Sequence, residues 1–254
     1  MRWRQPCTCW PDMSNPRVVF LHGWGLHGGI WSETAPAFQG MTPDLPGYGA
    51  RASVAPYTAE TLADALAATL PDGAVVCGWS LGGMVALALA ARYPEKVARL
   101  VLLATNPVFS SRPDWPHGLA PEVLAEFARS LSQDYKATLL RFLSLQARGG
   151  EQARAVIERL RASVFESGEP NADVLATGLE LLRDVDLRGV VEQVRCPVLV
   201  VHGAYDMLCP VGAARWLAEH LPHARLALHA HAAHAPFLSH PAWFAAELRE
   251  FLHE

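Results

Sequence analysis

Charge and long apolar runs are both scarce in this sequence. Only 18% of its 254 residues are charged, against roughly 25% in an ordinary soluble domain. Because 51% are hydrophobic, burial can offset the entropy lost on folding, which excludes a disordered chain. Apolar stretches such as Met84–Ala91 fall far short of the roughly 20 residues that a membrane span needs. We therefore expect one large folded domain with an insertion, and no membrane partner.

Signals for export and for a disulfide framework are also missing. Arg2 and Arg4 begin the chain, but no apolar stretch follows them, so a signal peptide is not expected. The cysteines are odd in number and have no paired arrangement, as in a reducing compartment: Cys7, Cys9, Cys77, Cys196 and Cys209. Cys7 and Cys9 supply only half of the usual structural zinc set. We expect a cytoplasmic protein without a structural metal.

Short apolar runs alternate with longer helical patterns along the chain. This alternation is typical of a mostly parallel sheet with helices on both faces. The predicted strands are Arg17–Leu21, Ala74–Trp79, Arg99–Ala104, Pro197–His202 and Arg225–His229. The predicted helices are Ala59–Leu70, Gly82–Tyr93, Val211–Leu221 and Pro241–Leu252. Several of these strands are apolar at nearly every position, which indicates burial on both faces.

The alternation stops between residues 107 and 195. Apolar residues recur there at helical spacing over Leu119–Leu131, Tyr135–Gln146 and Gln152–Phe165. We predict a helical cap over residues 107–195, inserted into a core that is formed by residues 1–106 and 196–254.

Charge is distributed unevenly along the chain. The net charge of −4 argues against a nucleic acid or an anionic membrane as the dedicated partner. Residues 136–161, however, hold six basic and two acidic side chains, a local charge of +4. An acidic protein therefore carries a basic cap segment.

A G-x-S-x-G sequence, Gly78–Gly82, lies between a predicted strand and a predicted helix. This context favours a serine nucleophile on a sharp strand-to-helix turn over an incidental serine in a structural turn. Small side chains two residues before and after Ser80 let the strand and the helix pass closely. Gly78 and Gly82 meet this need, and Gly83 extends it. We predict Ser80 as the nucleophile.

A serine hydroxyl needs a base that is oriented by an acid. In proteins with this turn, the order along the chain is serine, acid, histidine. Asp206 follows a predicted strand in a turn of small residues, whereas Asp184 and Asp186 follow no strand. His234 lies in the loop between the last strand and the last helix. We predict Asp206 as the acid and His234 as the base.

A metal site is the alternative interpretation of these histidines. His229, His231 and His234 have the spacing H-x-H-x-x-H, but no carboxylate or thiolate lies near them in sequence. Hydrolysis needs no metal-bound water once a serine nucleophile is present. We therefore expect neither a metal nor another cofactor. His202 ends a predicted strand, and we assign it no role in the chemistry.

The H-G-W-G loop, His22–Gly25, follows the first predicted strand. A loop of this type donates a backbone N–H to the oxyanion hole, and the residue after the nucleophile donates the second. The predicted donors are therefore the N–H groups of Trp24 and Leu81. A phosphate-binding loop is the alternative, but the G-x-G-x-x-G pattern and the P-loop lysine are both absent.

Six segments carry a resemblance to a known family: Leu21–Leu26, Asp44–Gly49, Gly78–Gly83, Arg141–Gln146, Val185–Arg188 and Ala232–Phe237. From about Arg17 onward the sequence resembles the α/β-hydrolase superfamily, and within it the pimeloyl-[acyl-carrier protein] methyl ester esterases of biotin synthesis. The resemblance implies an α/β-hydrolase fold and a cytosolic, monomeric serine esterase without a cofactor. Such an enzyme removes the methyl group from a pimeloyl chain that is attached to its acyl carrier protein.

The resemblance also implies binding residues. It places the substrate contacts on Trp24, Ser80, Leu81, Phe142, Leu143, Ser144, Leu145, Gln146 and His234. Because acyl carrier proteins are acidic, basic cap residues are expected to dock the carrier: Lys136, Arg141, Arg154 and Arg159. The sequence departs from the family at Ala137 and Glu158, where well-known members carry arginine.

Two other classes of function remain open. A general esterase of small esters, or a carbon–carbon bond hydrolase, would use the same three residues and differ only in the pocket and the cap. A non-catalytic receptor for a small apolar molecule would keep the fold alone. The receptor is disfavoured because no member of the predicted triad is missing.

Overall fold

One parallel sheet organises the chain. The computed structural model describes residues 17–164, 166 and 170–254, so the Cys7 and Cys9 pair and the predicted helix end at Phe165 lie outside the described residues. The strands are β1 (Val18–Leu21), β2 (Ala74–Trp79), β3 (Val97–Leu103), β4 (Val198–Gly203) and β5 (Ala224–His229). They lie in the order β1-β2-β3-β4-β5, and each neighbouring pair is parallel. The loops after the strands therefore meet at one edge of the sheet, where open α/β sheets bind ligands.

Burial of the strands explains their composition. Every residue of β1, β2 and β4 is buried, whereas most of the edge strand β5 is only partly buried. The other edge strand, β1, is covered by hydrogen bonds to Met41. Helix α2 (Leu81–Arg92) packs on β1, β2 and β3, and α1 (Ala59–Ala67) packs on α2. Helix α8 (Val211–His220) packs on β4 and β5, and α10 (Pro241–His253) closes the chain. The predicted α/β class with a parallel sheet covered on both faces is confirmed.

Helix and strand boundaries follow the predictions closely. Strand β2 coincides with its predicted range. Strand β3 begins two residues before the predicted Arg99, because Val97 pairs with Ala74 across an irregularity in the register. Helix α1 ends before the predicted Leu70, since Pro71 follows and disfavours helical backbone in the residue before it.

Helices fill the predicted cap region. They are α3 (Pro121–Gln133), α4 (Tyr135–Gln146), α5 (Ala153–Val164), α6 (Ala172–Asp184) and α7 (Arg188–Val191). Helix α3 packs on α4 and α6, and α4 packs on α5. The sequence analysis predicted α4 with its observed bounds but did not predict α6 or α7. Gly178 interrupts the apolar pattern of α6, where a Cβ atom would lie 2.7 Å from Cδ1 of Trp24.

The chain enters and leaves the cap region at one place. The N–H of Leu187 donates to the carbonyl of Pro107 over 2.9 Å, and the Arg112 guanidinium donates to the carbonyl of Asp184 over 2.8 Å. Arg188 adds ion pairs with Asp186 and Asp114. We therefore propose that residues 107–195 form the inserted cap, with α7 packed against α2 of the core. Among the described residues, no helix has the length and apolar character to cross a bilayer.

Candidate active site

Ser80 occupies a strained turn at the carboxyl edge of the sheet. It follows β2 directly and precedes α2, with φ 55° and ψ −119°. A positive φ is costly for a residue with a Cβ atom and is found mainly at functional positions. The Ser80 carbonyl is held by the Thr105 hydroxyl over 2.7 Å, and its N–H donates to Leu103 over 3.0 Å. The surrounding backbone thus maintains a conformation that the residue alone would avoid.

Close approach of β2 and α2 explains the glycines around Ser80. A Cβ atom on Gly78 would overlap the carbonyl of Gly82, and one on Gly82 would lie 2.6 Å from the carbonyl oxygen of Leu21. A Cβ atom on Gly83 would lie 2.6 Å from Cβ of Thr105. No side chain fits at these positions without displacing backbone or a buried residue.

Asp206 lies in the turn after β4, and its side chain is fully buried. Its Oδ1 atom accepts the N–H groups of Leu208 over 2.9 Å and of Cys209 over 2.8 Å. Its Oδ2 atom lies 2.8 Å from Nδ1 of His234. Burial opposes ionisation, but the neighbouring His234, His202 and Cys209 N–H outweigh it and hold the pKa of Asp206 below its ordinary value. Asp206 is therefore a charged carboxylate at neutral pH.

His234 lies in the loop between β5 and α9 (Pro236–Ser239), and it is completely buried. Its carbonyl accepts the indole N–H of Trp79 over 2.8 Å, and its backbone N–H donates to the carbonyl of Gln146 in the cap over 2.9 Å. Since Nδ1 is bonded to Asp206, Nε2 is the free basic atom. Among the described residues, Nε2 has no hydrogen-bond partner. The Ser80 hydroxyl is thus not bonded to it in this structure, as is common without substrate.

The predicted oxyanion loop packs against the Ser80 turn. A Cβ atom on Gly23 would lie 3.3 Å from Cβ of Ser80. Leu81 is the first residue of α2, so its N–H has no acceptor within the helix. The N–H of Trp24 donates no backbone hydrogen bond among the described residues. Among the described residues, neither predicted donor is therefore used in a backbone hydrogen bond.

His22 holds this loop in place as a neutral imidazole. Its Nε2 atom accepts the N–H of Leu45 over 2.9 Å, and its Nδ1 atom lies 2.9 Å from the carbonyl oxygen of Gly23. Burial lowers the pKa of His22 to about 4, although the bond to Gly23 and the charge of Asp44 oppose the shift. Protonation would remove the acceptor that Leu45 needs.

The cap residues with predicted substrate contacts divide into two groups. Phe142 lies edge-on to Trp24 with ring centroids 4.8 Å apart. Leu143 and Gln146, on the same helix, are also buried. Ser144 instead donates to the carbonyl of Leu140 over 2.8 Å and lies 3.5 Å from the Arg161 guanidinium. Leu145 is only partly buried.

Trp24 connects the core to the cap. Its indole N–H donates to the carbonyl of Leu175 in α6 over 3.0 Å. The residue that is predicted to supply an oxyanion donor is therefore fixed by two cap helices, α4 and α6.

Three of the predicted carrier-docking residues pair with acidic side chains. Arg141 lies 3.8 Å from Glu126, and Arg154 lies 3.0 Å from Glu158. Arg159 pairs with Glu33 of the core. Lys136 lies 5.8 Å from the centre of the Tyr135 ring. The positive charge of the cap is therefore partly neutralised.

The alternative metal site is not assembled as the sequence spacing suggested. The His229 ring packs on the His240 ring at a tilt of 36° with centroids 3.8 Å apart, and Nδ1 of His231 lies 3.6 Å from Glu151. His234 faces Asp206 instead. Glu151, in the cap region, supplies a carboxylate near His231. It is distant from the histidines in sequence, so the sequence analysis did not find it.

A different trio has suitable spacing for a metal ion. Ligand atoms of Asp206, Cys209 and His234 lie within 4.8 Å of one another. Burial and the Asp206 charge raise the pKa of the Cys209 thiol well above its ordinary value. Because a thiolate is the form that binds a metal, this thiol would have to release its proton on binding.

One residue near the site was missed by sequence reasoning. His202, in β4, is fully buried, and its Nε2 atom lies 3.4 Å from Oδ2 of Asp206. Its position could have indicated a role, because it lies four residues before the predicted acid, near the end of a buried strand.

The fold and the arrangement at the sheet edge define an α/β hydrolase. A profile of the alpha/beta hydrolase fold matches residues 16–241, and the chain belongs to this family. The pimeloyl-[acyl-carrier protein] methyl ester esterase of Aromatoleum aromaticum is 48% identical, and the alignment covers 90% of this chain and 95% of that protein. A protein of the same name from Nitrosomonas europaea is 43% identical over 92% of this chain and 94% of its own length.

Solved structures agree on the fold. An esterase from Exiguobacterium antarcticum superposes with a TM-score of 0.85 over 95% of this chain and 93% of that chain. The two sequences are 22% identical, so this likeness concerns the architecture alone.

Strain at Ser80 predicts an unusual order of stability. Ser80→Gly and Ser80→Ala both lack the hydroxyl, but only alanine keeps a Cβ atom at positive φ. We expect the glycine variant to be the more stable of the two by about 1 kcal/mol in chemical denaturation. At Ala65 in α1, where φ is helical, glycine should be the less stable residue. Higher stability of Ser80→Ala than of Ser80→Gly would contradict the strain.

Burial of neutral His22 predicts a loss of stability in mild acid. The unfolded chain binds a proton near pH 6.5, whereas the folded chain resists it until about pH 4. The contribution of His22 is therefore complete above pH 6.5 and is lost as pH falls through this window, up to about 3 kcal/mol. Free energies of unfolding at pH 7, 5.5 and 4 should fall less steeply in His22→Gln. Parallel curves for the two proteins would refute the assignment.

Proposed function

We propose that this protein is a pimeloyl-[acyl-carrier protein] methyl ester esterase of biotin synthesis. It is a carboxylic ester hydrolase that releases methanol and leaves pimelate on its carrier. The observation that carries this proposal is similarity over nearly the full length of both chains to relatives of that name. The geometry around Ser80 is consistent with it and favours the serine-dependent route.

Ser80, Asp206 and His234 are the proposed catalytic triad. As the Ser80 hydroxyl oxygen attacks the ester carbonyl carbon, Nε2 of His234 takes its proton. The 2.8 Å contact with Asp206 holds the imidazole in the tautomer that leaves Nε2 basic, and it stabilises the resulting imidazolium. The N–H groups of Trp24 and Leu81 bind the oxygen that becomes negative, and donors of this kind are worth about 3 kcal/mol each.

The attack forms a tetrahedral intermediate, and the breakdown of that intermediate completes acylation. The bond between the carbonyl carbon and the methoxy oxygen breaks, and the imidazolium of His234 gives its proton to the leaving group, which departs as methanol. Water then attacks the acyl-serine while His234 takes one of its protons. Return of that proton to Ser80 releases the free pimeloyl carboxylate. The sum is one ester and one water converted to one carboxylic acid and one methanol, without a cofactor.

The cap supplies the proposed binding surfaces. Phe142, which packs on Trp24, and the buried Leu143 are proposed to contact the pimeloyl methylenes, each worth about 0.8 kcal/mol when buried. Gln146, Ser144 and Leu145 are proposed to complete this part of the site. Basic side chains on the outer cap are proposed to dock the acidic carrier protein: Lys136, Arg141, Arg154 and Arg159.

We further propose that the protein acts as a monomer in the cytoplasm. The described cysteines, Cys77, Cys196 and Cys209, are free and buried. Free small esters are also expected substrates, because the same triad serves them.

Growth rescue tests the proposed function. Wild type should restore growth without biotin to a cell that lacks its own pimeloyl ester esterase, and Ser80→Ala should not. The purified Ser80→Ala variant should fold and lose hydrolysis by roughly 10⁴-fold or more. Substantial turnover by this variant would overturn the role of Ser80. Failure of wild type to rescue, with cleavage of p-nitrophenyl esters, would identify a general esterase instead.

The Arg154–Glu158 pair predicts a gain of carrier affinity. Because Glu158 neutralises Arg154, Glu158→Gln should lower KM for the carrier-bound ester by about threefold at low salt, with kcat unchanged. The KM for free dimethyl pimelate should not change. Glu219→Gln, an equal charge change on α8 of the core, is the control. An unchanged KM in Glu158→Gln, or an equal effect of Glu219→Gln, would place carrier docking elsewhere.

A further inference from the structure

A series of packed side chains runs from the outer surface of the cap to the predicted oxyanion loop. The guanidinium carbon of Arg141 lies 4.8 Å from the centre of the Phe127 ring. Phe127 meets Phe142 edge-on, with ring centroids 5.3 Å apart. Phe142 in turn meets Trp24 edge-on at 4.8 Å. These four side chains therefore connect an exposed arginine to the loop that packs against Ser80.

Phe127 is the member of this series that the proposed mechanism does not use. It lies on α3 and is 2% exposed. Arg141 and Phe142 are consecutive residues of α4, and consecutive side chains of a helix do not face each other. Phe127 nevertheless contacts both of them. It therefore joins the proposed carrier-docking surface to the proposed acyl-chain contacts, which α4 by itself would keep apart.

Arg141 is held on the Phe127 ring by two polar groups of α3. Its Nη2 atom lies 3.8 Å from Oε1 of Glu126 and 3.4 Å from Oγ of Ser130. A guanidinium is also attracted to the face of an aromatic ring. Half of the Arg141 side chain remains exposed. The outer end of the series is thus open to a partner, while the Phe127 ring beneath it is buried.

We infer that Phe127 is a positioning residue that sets the preference for a long acyl chain by holding the Phe142 ring. This inference rests on the proposed function, in which Phe142 contacts the pimeloyl methylenes. The planes of Phe142 and its two aromatic neighbours, Trp24 and Phe127, meet at 70° and 82°, an arrangement that aromatic pairs prefer. An aliphatic side chain at position 127 would fill space without fixing the angle of the Phe142 ring. Contacts between that ring and the acyl chain would then weaken.

Free esters of two lengths test this role without the carrier. In Phe127→Leu, kcat/KM for dimethyl pimelate divided by kcat/KM for methyl acetate should fall about fivefold, because methyl acetate has no chain methylenes to contact Phe142. Phe251→Leu is the matched control, since Phe251 is also buried and has the guanidinium of Arg99 at 5.3 Å from its ring. The control should keep the wild-type ratio. An unchanged ratio in Phe127→Leu, or an equal fall in Phe251→Leu, would overturn the inference.

A second measurement needs no substrate. The indole N–H signal of Trp24 in NMR, identified by its loss in Trp24→Phe, should move in Phe127→Leu because the Phe142 ring beside that indole changes its angle. It should not move in Phe251→Leu. If Phe127→Leu does not fold, Phe127→Met replaces it in both comparisons. Wild type that prefers the longer ester but fails to restore growth without biotin would overturn the proposed function alone, whereas an unmoved Trp24 signal in the folded variant would overturn the role of Phe127.

Discussion

The close approach of β2 and α2 at Ser80 is the constraint on which the rest of the site depends. Backbone atoms of Gly82 and of the β1 carbonyls occupy the space that side chains at Gly78 and Gly82 would need. The turn can be this sharp only because those residues are glycine, and its sharpness forces Ser80 to positive φ. The same packing brings the loop at Gly23 against Ser80 and leaves the N–H of Leu81 free at the start of the helix.

A buried carboxylate is the second constraint. Asp206 is removed from water, so its charge persists only because donors surround both oxygens. Those donors come from the turn itself and from His234, on a different segment of the chain. The protein thus places an ionised acid beside the imidazole of His234, the proposed general base.

The cap is part of this machinery as well as its cover. The carbonyl of Gln146 receives the N–H of His234, and Trp24 is bonded to Leu175 and packed on Phe142. His234 and the loop of Trp24 are therefore both held by cap helices. Ser80 is 5% exposed, so its environment is dry, and hydrogen bonds there are stronger than in water.

Local rules of chain geometry determined much of this protein from sequence alone. The parallel sheet and the β2 and α4 boundaries followed from hydrophobic period and turn residues, which act over a few neighbouring positions. The same rules placed Ser80, Asp206 and His234 at strand ends. Helix α6 was not predicted because Gly178 disfavours a helix locally. A glycine is needed there because Trp24, 154 positions away in the chain, leaves no room for a side chain.

Only the tertiary structure decided which distant groups meet. Oδ2 of Asp206 lies 2.8 Å from His234 and 3.4 Å from His202, and Glu151 of the cap faces His231, because separate segments converge at the carboxyl edge of one sheet. The Arg159–Glu33 pair likewise joins cap to core. Burial, which sets the charge of Asp206 and the neutrality of His22 and His202, depends on everything packed around a residue. Sequence spacing identifies the proposed reacting groups, while the path of the chain determines their hydrogen-bond partners and their burial.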